Sequence, residues 1–284
     1  LFEESPFEAP PWLVRSESVG VVNFADAVPK APPKTDNLMI KKSFTWNSRI
    51  RHLLQRLGWD FHRYPTTRMT VILRRSLLKS LEIRTFLDVG ANTGEFAEDV
   101  RKDGFNESIL SFEPLSSAFD ELMRRSDSDV RWECFNCAVG RENGTAVIHV
   151  AGNSVSSSLL PMAELHSSAA PDSVIKFTEK VSVRRLSDIC DERKPEFPAY
   201  LKIDTQGYEL EVLRGAESHL TRIPAIELEV SISELYKGQP LFPDVHQFLE
   251  NHGYYLASLE EGFVDREINR ILQAECIYLR KGSI

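Results

Sequence analysis

At 284 residues the chain exceeds one typical domain, yet it still suits a single decorated α/β domain. With 42% hydrophobic and 27% charged residues it is no fully disordered chain, collagen or coiled coil, and no apolar run approaches the roughly 18 residues of a membrane-spanning helix. The formal charge of −8 hides an asymmetry, because residues 41–84 carry eleven Lys and Arg against Asp60 and Glu82. Residues 1–40 hold six of the fifteen prolines and read as an extended or disordered arm. The acidic start LFEESPFEAPPW is unlike a secretory leader, and four cysteines do not make a disulfide scaffold, so a cytoplasmic location is expected. Residues 41–84 read as a basic helical extension. Trp46, Ile50, Leu53, Leu54 and Leu57 form one apolar stripe, and Met69, Ile72, Leu73, Leu77 and Leu81 a second. The favoured reading rests these basic faces on the acidic body; docking of nucleic acid is the less favoured one.

From residue 85 the rhythm changes. TFLDV (85–89), SILSFE (108–113), VRWECF (130–135), AYLKID (199–204), AIELEV (225–230), YYLASL (254–259) and AECIYLR (274–280) read as strands. Helices are expected over 95–104, 115–125, 208–220 and 243–252, the last closing at Gly253. Such alternation predicts a mostly parallel sheet covered on both faces. The stretch 144–198 interrupts it as an insertion, with alternating runs at 146–150 and 180–186 around a polar segment suited to substrate contact.

FLDVGANTGEF (86–96) is a strand, a glycine loop and a first helical turn. Its spacing is G-x-x-x-G, not the dinucleotide pattern, and no lysine in the loop favours a triphosphate. Asp88 precedes the first glycine and suits an ammonium. Glu113 closes the next strand, where a two-oxygen acceptor can take both hydroxyls of a ribose. Further on, KIDTQGYELEVLRGA (202–216) puts Asp204 at the same rim of the sheet, followed by Gln206 and Glu209. AIELEVSISE adds Glu227 and Glu229 on one side of a strand.

These segments, with ILSFEPLSSAFDEL, FNCAVG, NSVSSSLL, VSVRRLSDI and ECIYLR, resemble the FkbM-type family of class I S-adenosylmethionine-dependent methyltransferases over about residues 50–282. The family usually ends its last strand with an acidic residue and an aromatic; Glu275 to Tyr278 departs mildly from that pattern. The resemblance implies a Rossmann-like, seven-stranded, mostly parallel sheet with the last strand antiparallel, in a methyltransferase domain spanning 85–284. It implies that Asp88, Gly90, Ala91, Asn92, Thr93 and Gly94 line the methionine part of the cofactor. Glu113 would then hold the ribose, with Asn136, Cys137 and Ala138 beside the adenine.

Methyl transfer to an aliphatic hydroxyl needs a base or a metal. Asp204 is the first candidate for that work and Glu229 the second. Catechol-type methyltransferases of the same broad fold hold magnesium after the fourth and fifth strands. Asp204 with Glu229 would imitate them, but no third ligand is identifiable, so a divalent metal is not favoured. Asn153, Ser156, Ser157 and Tyr236, the last within the Tyr236-Lys237-Gly238-Gln239 turn, are the acceptor candidates. Cys134 and Cys137 lack partners for zinc, and His166 reads as a solvated loop residue. The expected activity is O-methylation of a sugar, glycan or secondary metabolite, with homo-oligomerisation left open. The alternatives are a nucleic-acid methyltransferase using the basic segment, which would expose Arg74 and Arg75, and a non-catalytic cofactor-binding module.

Overall fold

The structure is a computed structural model and describes residues 69–283. The expected arm at 1–40 and the stripe at 46–57 lie outside the described residues. Along the chain, α1 (Met69–Ser80) precedes β1 (Thr85–Val89), α2 (Glu95–Lys102), β2 (Ser108–Phe112), α3 (Ser116–Ser126) and β3 (Trp132–Phe135). The insertion follows as β4 (Ala138–Val139), β5 (Gly144–Ala151), α4 (Glu164–Ala169), β6 (Ile175–Arg184) and α5 (Leu186–Arg193). The chain returns through β7 (Ala199–Ile203), α6 (Glu209–Gly215), β8 (Ala225–Ser231), α7 (Phe242–Asn251) and β9 (Tyr254–Glu261). The short pair β10 (Val264–Asp265) and β11 (Arg270–Ile271) then leads to β12 (Gln273–Arg280).

All seven expected strands join one sheet in the order β3-β2-β1-β7-β8-β12-β9. β12 lies antiparallel between β8 and β9, and the other neighbours are parallel. This is the Rossmann-like class I methyltransferase fold. Its central strands are buried along their length because both faces are covered. Alternation along β1 sends Phe86 toward the core shared with Leu77 of α1 and Val100 of α2. Leu87 and Val89 point the other way, against Ile189 of α5 and Leu213 of α6. Cys134 and Cys137 fall on opposite faces as expected, and all four cysteines are free thiols.

The insertion is more regular than the sequence suggests. β5 and β6 pair antiparallel, and β4 pairs with β6, so a three-stranded side sheet grows directly from the end of β3. Helix α5 has only a weak sequence signal: Leu186, Ile189 and Cys190 give it one short buried stripe inside a polar stretch.

The described part of the basic segment rests on the acidic body. Arg74 is buried, its Nη1 3.2 Å from Glu227 Oε1, and Arg75 pairs with Asp103. The nucleic-acid alternative therefore loses Arg74, which is enclosed by protein rather than presented to phosphate.

Candidate active site

The carboxyl ends of β1, β2 and β7 open onto a cavity of about 600 Å³, whose wall is completed by the insertion at 154–159. Open α/β sheets bind ligands at this rim. Gly90 and Ala91 both donate backbone N–H to the Phe112 carbonyl at 3.0 Å, tying the loop to the end of β2. Gly90 has φ +78°, and a Cβ there would lie 1.8 Å from the carbonyl oxygen of Asp204. The close pass of the β7 end, rather than a ligand, thus demands glycine. Gly94 departs from its expected cofactor contact: it faces Leu122 and Trp132, letting α2 start against α3 and β3. Ala91, Asn92 and Thr93 do line the cavity.

Glu113 sits at one end, also in the wall. Its Oε2 accepts from Asn92 N and its Oε1 from Leu115 N, both at 2.8 Å. Burial pushes its carboxyl up to about 7, against the pull of those two N–H groups and of Lys202, while Asp88 adds to the rise. Beside it Cys137, Ala138, Val139 and Ile148 make an apolar wall suited to a flat ring. Asn136 is not part of that wall; it points back, donating to the carbonyls of Glu113 and Pro114 at 3.0 and 3.2 Å.

Asp88 also departs from its expected place. It is fully enclosed, with Oδ2 accepting from Ser111 Oγ at 3.2 Å, and Ser111 in turn accepting from Trp132 Nε1 at 2.9 Å. Its Oδ1 has no hydrogen-bond partner among the described residues; Lys202 Nζ stands 3.6 Å away. Asp88 thus supports the cavity floor instead of touching a ligand directly. The side chain that does line the cavity is Lys202, which sequence reasoning missed. Its Nζ lies 3.3 Å from the Gly90 carbonyl, 3.8 Å from Asp204 Oδ2 and 4.8 Å from the Phe96 ring centre. Burial works against its charge, but Asp204 and Asp88 outweigh burial and hold the ammonium above its ordinary range. The signal was available: a lysine inside an apolar strand is as costly as the glutamates that drew attention.

At the other end Asp204 lines the cavity with 43% of its side chain exposed. Gln206, held at φ +54°, donates Nε2 to Asp204 Oδ1 at 2.8 Å and to Glu229 Oε2 at 3.1 Å. Glu229 also accepts from Gln273 Nε2 at 2.6 Å and is absent from the cavity wall. Burial first, then Asp204, Glu275 and Glu209, push its carboxyl well above the usual range. Glu229 is thus placed to hold Gln206 and Gln273 and does not itself reach the cavity. An amide N–H also stands between the two carboxylates where a shared cation would sit. Among the described residues no group of three or more His, Cys, Asp or Glu is arranged to hold a metal.

Of the acceptor candidates only Ser157 reaches the cavity, beside Ser154, Val155, Ser158 and Leu159. Asn153 caps the turn at Ser156 N (3.2 Å), and Ser156 Oγ meets Ser173 Oγ at 3.1 Å. Tyr236 is fully buried; its one hydroxyl proton is shared between Gln206 Oε1 at 2.9 Å and Ser156 O at 3.0 Å, so it braces Gln206. His166 is enclosed as well, 3% exposed and packed edge-on against Tyr236, because its turn folds inward onto Phe263.

Together the site offers a carboxylate acceptor at one end, an apolar wall, a backbone loop, and a second carboxylate at the other end. That donor set fits S-adenosylmethionine, with hydroxyls near Glu113 and cationic groups toward Asp204. Fold and site define a class I S-adenosylmethionine-dependent methyltransferase. Residues 88–256, more than half of the chain, match the methyltransferase FkbM domain, and the chain belongs to that family. It is 26% identical over 185 residues to 2-O-methyltransferase NoeI of Sinorhizobium fredii (strain NBRC 101917 / NGR234), covering 62% of this chain and 75% of that protein. It is 27% identical over 187 residues to Methyltransferase 1 of Beauveria bassiana (strain ARSEF 2860), covering 60% and 72%. A methyltransferase of Sordaria araneosa, sdnD, shows 27% identity over 192 residues, covering 59% and 72%.

Proposed function

We propose that this enzyme methylates oxygen, on a hydroxyl of a sugar, glycan or secondary metabolite. The observation that carries the reading is a half-exposed carboxylate, Asp204, sharing one cavity with the hydroxyls of Ser154 and Ser157. The similarity to a protein named as a 2-O-methyltransferase points the same way. In this reading the loop 90–93 holds the methionine part of the cofactor, Glu113 the ribose, and Cys137 with Ala138 the adenine.

When bound, S-adenosylmethionine supplies an electrophilic methyl group on a sulfonium. The chain's own contribution is position and a proton acceptor. Ser157 orients the acceptor, and Asp204 takes the hydroxyl proton. Gln206 fixes Asp204 through Oδ1, and Tyr236 fixes Gln206. Burial raises the Tyr236 phenol far above its ordinary range, so that hydroxyl stays a donor. Lys202 Nζ stands 3.8 Å from the other Asp204 oxygen, Oδ2.

The test is transfer of labelled methyl from S-adenosylmethionine to a panel of saccharides, amines and RNA, with products located by NMR. We expect O-methyl products, and a fall in kcat of about 10²–10⁴ for Asp204→Asn with S-adenosylhomocysteine affinity changed severalfold at most. Methyl on nitrogen, or Asp204→Asn turning over within about threefold of wild type, would overturn the reading.

A further inference from the structure

Asp204 stands at the start of a turn, 204–207, whose shape is not set by the sheet. Asp204 N donates to the Val89 carbonyl at 2.9 Å, the last tie of this segment to β1. Past that bond the chain takes the left-handed conformation twice in a row, at Gln206 (φ +54°) and Gly207 (φ +97°). Glycine adopts it freely. Glutamine does so only where its surroundings enforce it, and such positions cluster at working sites.

Two side chains enforce it here. Glu209 is the first residue of α6, where a carboxylate usually serves the helix dipole from the surface. Its side chain instead folds back and is 6% exposed, outside the cavity wall. One oxygen, Oε1, accepts from Thr205 N and Thr205 Oγ1, both at 3.1 Å, and from Gly207 N at 3.0 Å. Those two amides flank Gln206, so a single carboxylate oxygen draws both its neighbours to one point. Burial pushes the Glu209 carboxyl up, against the pull of these N–H groups. Ser158, 1% exposed, holds the residue between them: its Oγ donates to the Gln206 carbonyl at 2.6 Å. The labour is thus divided. Tyr236 and Glu229 hold the Gln206 amide, while Glu209 and Ser158 hold the backbone that carries it.

We propose that Glu209 and Ser158 are positioning residues for methyl transfer, clamping the turn so that the Gln206 amide holds Asp204 in its proton-accepting orientation. This rests on Asp204 as the base, the reading given above. A plain turn brace would affect stability alone. A clamp acting through Gln206 affects kcat, and only while Gln206 is present.

The test is a double-variant cycle in the full chain, with S-adenosylmethionine and the fastest acceptor of the panel above. Glu209→Ala, Ser158→Ala and Gln206→Ala are measured singly, and the first two again on a Gln206→Ala background. Calorimetry with S-adenosylhomocysteine follows cofactor affinity, and urea titration follows folding. We expect kcat to fall about 10²-fold in Glu209→Ala and Gln206→Ala and about tenfold in Ser158→Ala. Acceptor KM and cofactor affinity should stay within about threefold of wild type. On the Gln206→Ala background neither change should cost more than about a further threefold. Losses that multiply to about 10⁴ in Glu209→Ala with Gln206→Ala, or single variants that keep kcat within about threefold of wild type, would sink the clamp. Should Glu209→Ala not fold, the cycle with Ser158→Ala decides by the same criteria. Turnover lost in Asp204→Asn but kept in Glu209→Ala removes the clamp alone, whereas turnover kept in Asp204→Asn removes the base and the clamp together.

Discussion

Glu113 makes the cofactor site sensitive to pH near neutrality. Its carboxyl rises from 4.5 to about 7 because burial outweighs the N–H groups of Asn92 and Leu115. Since the folded protein holds this proton more tightly than the unfolded chain, Glu113's own contribution to the stability of the ligand-free protein is fully present below about 4.5. About 3 kcal/mol of it is lost as pH rises from there through 7. With the ribose placed at Glu113 as proposed, its hydroxyls would donate to the ionised form, so binding would run the other way. S-adenosylhomocysteine affinity is expected to fall by up to about tenfold per pH unit below 7, and Glu113→Gln should bind weakly with a flat profile. Calorimetry from pH 5.5 to 8.5 decides this; a sloping profile in the variant removes Glu113 as the cause. Gly90→Ala is a second residue-scale prediction. Its Cβ would meet the Asp204 carbonyl at 1.8 Å from a φ of +78°, so destabilisation beyond about 2 kcal/mol is expected in urea titration.

Among the elements, α1 lies outside the matched family segment yet is anchored in the sheet. Ser111, Asp88, Lys202 and Glu227 stand in register across β2, β1, β7 and β8. Arg74 of α1 closes this row on Glu227, which also accepts from Tyr200 OH at 2.7 Å. Removing one member of a buried pair leaves the other uncompensated. Arg74→Met is therefore expected to cost about 3–5 kcal/mol in urea unfolding, much of it recovered in the double variant with Glu227→Gln. A cost below about 1 kcal/mol would show the row to be incidental. This row also explains what was legible in the sequence. The seven strands and the loop 90–93 carry local signals, apolar period and glycine spacing, and were readable. Register is not local, so nothing in the sequence set Asp88 opposite Lys202 or turned Gln206 between Asp204 and Glu229. From sequence alone Tyr236 and Ser156 look like ligand contacts, because hydroxyls are alike until their partners, Gln206 and Ser173, are in place.

For the whole molecule, the cavity is shared by two sheets, and binding should be felt in both. β3 continues through Asn136 and Cys137 into β4, so the side sheet is an extension of the main one. Ser154 Oγ donates to Asn92 Oδ1 at 3.1 Å, and Ser116 Oγ donates to Glu179 Oε1 at 2.5 Å. The insertion is thus hydrogen-bonded to the cofactor loop through an exposed pair that solvent can break. A ligand touching both walls holds that pair closed, whereas one touching only the loop does not. Saturating S-adenosylhomocysteine at 100 times its Kd stabilises the fold by about 2.7 kcal/mol whatever the path. Hydrogen exchange distinguishes the paths: slower exchange is expected over 90–93 and 154–159 together, and along β5 and β6 beyond them. Ser154→Ala should leave the protection at 90–93 and weaken it in the insertion. Protection confined to 90–93 in the wild type would mean that the insertion answers to the acceptor alone.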